Sequence, residues 1–261
     1  MGLLTGKKGL VIGVANQRSL AWGIARALHG EGADLGFTYH STARGRRTSP
    51  LAASLGSNLI ERCDVRSDEE IAALMRRVRD VYGALDIIVH APVAAKPEEL
   101  SGPYLGTTRE GFLLALETSV YSLTAIVKAA DRLLNPGASI ITLSCLSAQR
   151  VVPHHNVLGV AKAALEASVR YLAADLGPRR IRVNAISSGS IRTLSSSAIT
   201  DFGAHYKSAA EIAPLRRHVT IDDIGKTALW LCSDRSSAVT GETIHVDAGL
   251  HHMGFGGRAN E

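Results

Sequence analysis

The feature that most constrains the fold of this chain is an alternation of short β-branched runs with longer amphipathic stretches. Such an alternation is typical of consecutive βαβ units, which build a parallel sheet covered by helices. Several runs are apolar without a period of two, as expected for strands buried on both faces. The runs predict strands at Lys8–Val14, Ala33–Tyr39, Asn58–Val65, Leu85–Ala91, Ala138–Ser144, Arg180–Ile186 and Glu242–Ala248. Helical patterns cover Ser19–Gly30, Asp68–Tyr82, Thr108–Leu134, Asn156–Leu176 and Ile221–Ser233.

The number of strands and the chain length predict one domain. Seven strands and their helices use the whole of a 261-residue chain, and no linker rich in Pro, Gly or Ser divides it. We therefore expect residues 1–261 to form a single doubly wound α/β domain, with a seven-stranded parallel sheet and helices on both faces. Ligands of such sheets bind outside the carboxyl ends of the strands. The long segment 190–214 follows the sixth strand at that edge, and we expect it to be a substrate lid.

Composition and charge indicate the cellular compartment and the kinds of partner that suit this chain. The three cysteines are widely spaced without a ligand pattern, which favours a reducing cytoplasm and no metal site. The first apolar run has lysines inside it, so it is a strand rather than a signal peptide. We expect no apolar stretch to approach the roughly 20 residues of a membrane span, and neither a membrane nor a nucleic-acid partner is expected. A net charge of +5 suits an acidic partner such as a phosphorylated cofactor or a carrier protein, or is a solvated basic surface.

The segment after the first strand, GVANQRSLAWG, has the features of a dinucleotide-binding turn. Gly13 permits a tight turn, and Ser19 can cap the helix that follows. The N-terminus of that helix offers unpaired N–H groups and a positive dipole end to a pyrophosphate. Ala15 stands where a GxGxxG motif has its second glycine, so the segment alone is a weak signal. Its position after the first strand strengthens that signal.

The spacing of Gly13, Ser19, Ala21 and Gly23 resembles that of the divergent short-chain dehydrogenases. Further segments look like those of the NAD(P)-dependent enoyl-acyl-carrier-protein reductases of bacterial fatty-acid synthesis, among them TREGF, LNPGASIITLS, NVLGVAKAALEASVRYLAADLGP, RVNAIS, GSIRTL and TGETIHVDAG. The resemblance extends from Gly2 to about Gly249. It implies a Rossmann-like fold, a homotetramer and an acyl substrate tethered to a carrier protein.

The resemblance also implies which residues bind the cofactor. Gly13, Ala15, Ser19 and Leu20 would hold the pyrophosphate, Asp64 and Val65 the adenine, Lys162 the nicotinamide ribose, and Ile191, Thr193 and Leu194 the carboxamide side and phosphates. His40 and Ala91 follow the second and fourth strands and are included in the same set.

The end of the second strand bears on the choice between NADH and NADPH. A carboxylate there binds the ribose hydroxyls, whereas arginines suit a 2′-phosphate. The stretch YHSTARGRR has no acid and offers Arg44, Arg46 and Arg47, which favours NADPH. A solvated loop explains the same arginines equally well. NADPH or NADH is the expected cofactor.

The positions expected to take part in the reaction differ from those of the resembling reductases. Those enzymes carry one tyrosine seven residues before the active-site lysine and another after the fifth strand, where this chain has His155 and Cys145. The Ser-Ile-Gly that usually follows their fourth strand is replaced by Ala91, Pro92 and Val93. In the resembling enzymes hydride goes to the β-carbon of an enoyl thioester, and a tyrosine hydroxyl helps to stabilise the enolate.

The catalytic candidates are His155, Lys162 and Cys145. We expect His155 and Lys162 to share one face of a helix, since their spacing corresponds to two turns. An imidazole with a pKa near 6.5 can be an acid, a base, a hydrogen-bond donor or inert. Cys145 also fits a small buried residue. Residues of neighbouring segments that could orient a substrate are Ser119, Tyr121, Ser144 and Ser147.

Three functions remain open from the sequence. The first is NAD(P)H-dependent reduction of an unsaturated acyl or polyketide chain at an atypical active site. The second is a redox-neutral cyclase, isomerase or dehydratase of specialised metabolism that keeps the dinucleotide. The third is a non-catalytic homologue. The family resemblance favours the first and the changed positions favour the second, while the intact cofactor motifs argue against the third.

Overall fold

Seven parallel strands form one sheet in the computed structural model, which describes residues 2–254. The strands are β1 (Lys8–Ile12), β2 (Asp34–Tyr39), β3 (Ile60–Arg62), β4 (Leu85–His90), β5 (Leu134–Cys145), β6 (Arg182–Ser188) and β7 (Thr243–Val246). Their order is β3-β2-β1-β4-β5-β6-β7, with every pairing parallel. The predicted doubly wound α/β sheet is confirmed. Met1 and residues 255–261 of the predicted domain lie outside the described residues.

Helices cover both faces of this sheet. They are α1 (Leu20–Gly30), α2 (Thr42–Ser54), α3 (Asp68–Tyr82), α4 (Arg109–Leu116), α5 (Ser122–Ala130), α6 (Val157–Leu176), α7 (Phe202–Ile212) and α8 (Ile221–Cys232). Side chains of α1, α2 and α8 pack in the core on one face, and those of α3, α5 and α6 pack on the other. Adjacent residues of one strand supply opposite cores: Leu10 and Ile12 of β1 face α3 and α6, while Val11 faces α1 and α8.

Several predicted boundaries were wrong because hydrophobicity does not report hydrogen bonding. The sheet pairing of β1 ends at Ile12, two residues before the apolar run ends, and that of β3 covers only Ile60–Arg62. The sequence patterns predict no helix at Thr42–Ser54, where the structure has α2. Its sequence is polar and contains Pro50, and it buries only Gly45, Thr48 and Ala52, which leaves little apolar periodicity to detect.

The helix predicted at Thr108–Leu134 is interrupted. A five-residue π-helical turn, Glu117–Tyr121, separates α4 from α5, and Leu134 already belongs to β5. The helical stretch Arg109–Leu133 has 25 residues and a mean hydropathy of 1.4 in its most apolar window. Length and composition therefore allow it to cross a membrane, and the expectation that no stretch reaches this length was wrong. In this fold its Leu123 and Ile126 are fully buried among side chains of α3 and α6.

Candidate active site

The strand order changes direction between β1 and β4, and this creates a crevice at the carboxyl edge of the sheet. Gly13 follows β1 with φ +102°, and a Cβ atom placed on it would lie 2.7 Å from the backbone carbon and oxygen of Ala91. Only glycine tolerates both this backbone angle and this contact. The two chain segments thus meet without an intervening side chain at the point where doubly wound sheets bind ligands.

Ser19 organises the turn that leads into α1. Its Oγ accepts hydrogen bonds from the backbone N–H groups of Ala15 and Asn16, both at 3.0 Å. The expectation that the Ser19 side chain caps α1 was wrong: among the described residues its hydroxyl makes no capping bond to that helix. The hydroxyl is occupied by the preceding turn, so the first amides of α1 stay available at the crevice for an anion.

A cavity of about 360 Å³ extends from the start of α1 past α6 to α7. It brings together most of the residues predicted to form the site: Gly13, Ala15, Ser19, Leu20, Ala91, Cys145, His155, Lys162, Ile191, Thr193 and Leu194. Val93 also lines it, close to Ala91. Segments far apart in sequence therefore share one binding space, with the turn after β1 at one end and the start of α6 at the other.

Three predicted cofactor residues lie elsewhere along the same edge of the sheet. His40 is exposed after β2, and Asp64 and Val65 follow β3. The carboxylate of Asp64 accepts hydrogen bonds from Nε and Nη2 of Arg66 at 3.1 and 2.7 Å. These bonds lower the pKa of Asp64, so it is a carboxylate at neutral pH. The positions fit the far end of an extended ligand that begins in the cavity.

Lys162 is buried on α6 and tied to the end of β5. Its Nζ donates a hydrogen bond to the backbone carbonyl oxygen of Leu143 at 2.7 Å. Burial lowers the pKa of Lys162, and the nearby Cys145 and Glu166 partly offset this effect. An ammonium group has three N–H donors, so two remain for a ligand in the cavity.

Glu166 supports this arrangement and was not identified from the sequence. It is buried one helical turn after Lys162 and accepts a hydrogen bond from Ser144 Oγ at 2.5 Å. Gln149 Nε2 donates to its other oxygen at 3.3 Å. Since Ser144 ends the apolar run of β5 and lines the cavity, Glu166 fixes one wall of the site to α6. Its signal in the sequence was a single acid among the apolar residues of a helix.

His155 lies in the turn before α6 rather than on the helix. The helix begins at Val157, and Asn156 has φ +42°, so the prediction that His155 and Lys162 share a helical face was wrong. Both side chains nevertheless line the cavity. The chain direction changes at Asn156, and this change rather than the helical period places the imidazole there.

The imidazole of His155 belongs to a chain of polar side chains. Its Nδ1 is 2.9 Å from Oγ of Ser147, and that oxygen is 3.1 Å from Sγ of Cys145. Burial, and to a smaller degree the nearby His205, lower the pKa of His155 to about 4. His155 is therefore neutral at pH 7 and can donate or accept a hydrogen bond without carrying charge.

The segment 190–214 contributes the remaining wall of the cavity. Its apolar lining residues are Ile191, Leu194, Ile199, Phe202, Ala209 and Ile212. Tyr206 of α7 stacks on His218 with ring centroids 3.7 Å apart, and the Arg192 guanidinium lies 4.5 Å from the centroid of Tyr206. These contacts hold α7 over the cavity. The apolar residues of this segment give the site an apolar side in addition to its polar side.

Residues 13–251 match a family model described as enoyl-(acyl carrier protein) reductase. The chain belongs to this reductase family. The chain is 50% identical over 254 residues to enoyl-acyl-carrier-protein reductase (NADH) 1 of Rhizobium meliloti, covering 97% of this chain and 93% of the relative. A Bacillus cereus enoyl-acyl carrier protein reductase, solved with NADP+ and indole naphthyridinone, has a TM-score of 0.95 and 47% identity, covering 98% and 100% of the two chains. An Anaplasma phagocytophilum reductase, solved with NAD, has a TM-score of 0.94 and 45% identity, covering 100% and 97%.

Four residues predicted to orient a substrate occupy different places in the structure. Ser144 lines the cavity, and Ser147 contacts His155. Ser119 is fully buried in the π-helical turn, and Tyr121 is 52% exposed. His205 of α7 also lines the cavity and was missed, because one histidine among the polar residues of the segment 190–214 has no distinguishing signal.

Proposed function

We propose that this chain reduces the double bond of an unsaturated acyl or polyketide thioester with NADPH or NADH, at an active site in which His155 replaces a tyrosine. The observation that supports this most directly is the single cavity that joins the turn of Gly13 and Ser19 to Lys162 and His155. One end fits a dinucleotide, and the other offers polar groups to a reacting thioester.

The chain's own residues fit a dinucleotide. The backbones of Gly13 and Ala91 approach each other without an intervening side chain, which leaves room for a ligand beside them. The uncapped start of α1 suits a pyrophosphate. Lys162 would bind the nicotinamide ribose through the N–H groups that Leu143 does not use. Nη1 of Arg44 is buried and has no hydrogen-bond partner among the described residues, which favours a 2′-phosphate at the end of β2 and hence NADPH. The Bacillus cereus relative was solved with NADP+ and the Anaplasma relative with NAD.

A bound nicotinamide cofactor would supply a hydride to the β-carbon of the enoyl thioester, and a proton from water at the α-carbon would complete the reduction. This addition places negative charge on the thioester oxygen, and a donor held beside it lowers the barrier. Neutral His155 supplies such a donor from the ring nitrogen that Ser147 does not contact. Lys162, held by Leu143, would orient the ribose and add positive potential. In this assignment Cys145 lines the end of the cavity that holds the substrate and forms a hydrogen bond with Ser147, but it transfers no proton.

The cavity lining and the protein surface indicate which substrate and which protein partners this chain binds in the proposed function. The apolar residues of the lid fit an acyl or polyketide chain, and the net charge of +5 suits an acidic carrier protein. Leu113 of α4 and Tyr171 of α6 are exposed side chains with large apolar parts. An apolar surface of this kind favours self-association, and we propose a homotetramer in the cytoplasm.

The experiment that tests this function combines a cofactor titration with a crotonyl-thioester assay that follows the absorbance of the reduced nicotinamide. Saturable NADPH or NADH binding, with turnover that His155→Ala lowers, supports the proposal. Absence of cofactor binding would remove the reductase assignment. Turnover that is fast and independent of His155 would contradict the atypical active site.

A redox-neutral reaction is the second candidate, and Val93 favours it. Its side chain lines the cavity directly after β4, where it takes up space beside the cofactor end. A shaped apolar cavity can accelerate an intramolecular reaction by holding its reacting ends together. Dinucleotide binding without oxidation, accompanied by conversion of a polyene thioester into a cyclised, isomerised or dehydrated product, would distinguish this function from reduction.

A further inference from the structure

Ser147 occupies a sterically fixed position between two polar side chains of the cavity. It lies in a short 3₁₀ turn, Leu146–Ala148, directly after β5. A Cβ atom on Gly159 of α6 would lie 2.9 Å from the backbone oxygen of Ser147, so the turn is packed tightly against the helix. The side chain of Ser147 is 9% exposed. Its hydroxyl therefore has few positions available other than the one between Cys145 and His155.

The hydrogen-bonding capacity of the three groups decides the direction of the bonds. A serine hydroxyl has one hydrogen to donate, whereas its oxygen has two lone pairs. The unprotonated nitrogen of a neutral imidazole is a strong acceptor, and the sulfur of a thiol is a weak one. The favoured arrangement gives the single Ser147 hydrogen to Nδ1 of His155, while the thiol of Cys145 donates to Ser147 Oγ.

We propose that Ser147 is a positioning residue that fixes His155 in the tautomer with its proton on Nε2, so that this N–H is presented to the substrate cavity. Accepting a hydrogen bond at Nδ1 leaves Nε2 as the protonated nitrogen of a neutral ring. His155 lines the cavity, and Nε2 makes no hydrogen bond to the residues that the structure describes. The opposite tautomer would present a lone pair there and repel a developing oxyanion.

This role deepens the proposed reductase function and rests on it. A substrate oxygen that gains negative charge requires a donor, and without Ser147 the neutral ring exchanges freely between two tautomers of which only one donates. A neutral donor also needs no counter-ion at this partly buried position, whereas an imidazolium there would be costly without one. Ser147 acts through His155 and need not touch the substrate itself.

The decisive measurement is the ¹⁵N chemical shift of the histidine ring nitrogens at pH 7 in the full-length, cofactor-free protein, with His155 assigned by comparison with His155→Gln. We expect the Nε2–H pattern in the wild type and in Ser147→Thr, which keeps the hydroxyl. Ser147→Ala should shift the nitrogens toward a tautomer mixture. Ser54→Ala is the matched control, since Ser54 bonds Leu51 on exposed α2, and it should leave the His155 signals unchanged.

Kinetics provide the second readout. With a crotonyl thioester, Ser147→Ala should lower kcat about 10- to 100-fold, as for partners that orient a metal ligand, because the ring loses its fixed orientation as well as its single tautomer. KM should change little, and Ser147→Thr should restore most of the rate. A wild-type Nδ1–H pattern, or an alanine variant with unchanged shifts and kcat, would overturn the role of Ser147. Absence of thioester reduction in every variant would reject the reductase function, whereas the ring shifts would still decide the tautomer.

Discussion

Nζ of Lys162 and the backbone carbonyl oxygen of Leu143 form a 2.7 Å hydrogen bond between α6 and the end of β5. The bond directs a buried cation toward the cavity without using a side-chain anion. We expect Lys162→Met to weaken NADPH binding about 10- to 100-fold, since a hydrogen bond to a charged group contributes roughly 1.5–3 kcal/mol. Fluorescence titration of the cofactor measures this, with exposed Lys128→Met as the control. Equal affinities for the two variants would contradict a ribose contact.

Gly13→Ala tests the close approach of Gly13 to the backbone of Ala91 at the crevice. The new Cβ would lie 2.7 Å from backbone atoms of Ala91, and φ at this position is +102°. We expect a loss of stability of about 1–3 kcal/mol together with weaker cofactor binding. Chemical denaturation and a cofactor titration measure the two effects. Gly30→Ala is the control, because a Cβ there meets nothing within 4 Å. Its stability should equal or slightly exceed that of the wild type.

Stability should depend on pH through His90, which is fully buried, and His155, which is partly buried. Burial is the main cause that lowers the pKa of His155 to about 4 and that of His90 to about 3. The unfolded chain binds these protons below about pH 6.5, and the folded chain binds them only near those lower values. The free energy of unfolding is therefore highest above pH 6.5 and falls as the pH decreases toward about 3. Urea unfolding of the wild type, His155→Gln and His29→Gln at several pH values tests this, and only His155→Gln should flatten the dependence.

His155→Tyr should raise the rate of enoyl reduction. A phenol hydroxyl donates a hydrogen bond at every physiological pH, and acid–base groups contribute ~10²–10⁴ in rate, so we expect an increase of about tenfold or more. Steady-state kinetics with a crotonyl thioester provide the measurement. His29→Tyr, on the exposed end of α1, is the control. A lower rate in His155→Tyr would contradict this expectation and show that the imidazole suits the reduction better than a phenol does.

Arg44→Gln should reduce the preference for NADPH. The Nη1 atom of Arg44 has no hydrogen-bond partner among the described residues, so a turn of this side chain toward a 2′-phosphate at the end of β2 would satisfy it. We expect the Kd for NADPH to rise about tenfold and that for NADH to change little, as loss of one charge-assisted contact implies. Exposed Arg47→Gln is the control. A parallel change in both cofactors would argue against phosphate recognition.

The elements with a clear periodicity were predicted well. Helix α3 has the predicted bounds, because an apolar stripe and a capping serine, Ser67, which accepts from the Glu70 N–H, mark its face and its start. Helix α2 has neither signal and was missed. Of the site, the turn at Gly13 and Ser19 was recognised from its place after β1, but the Ser19 hydroxyl has a different bonding role because its own turn competes for it.

The amino-acid sequence by itself determined the parallel sheet, the family and the residues at the carboxyl edge, because burial patterns and short motifs are local properties of the chain. Only the tertiary structure decided which of those residues meet. The hydrogen bonds that join Cys145, Ser147 and His155 span a turn whose path depends on packing against Gly159 of α6. Contacts of that kind arise when separate elements pack together, and no periodicity in a single element encodes them.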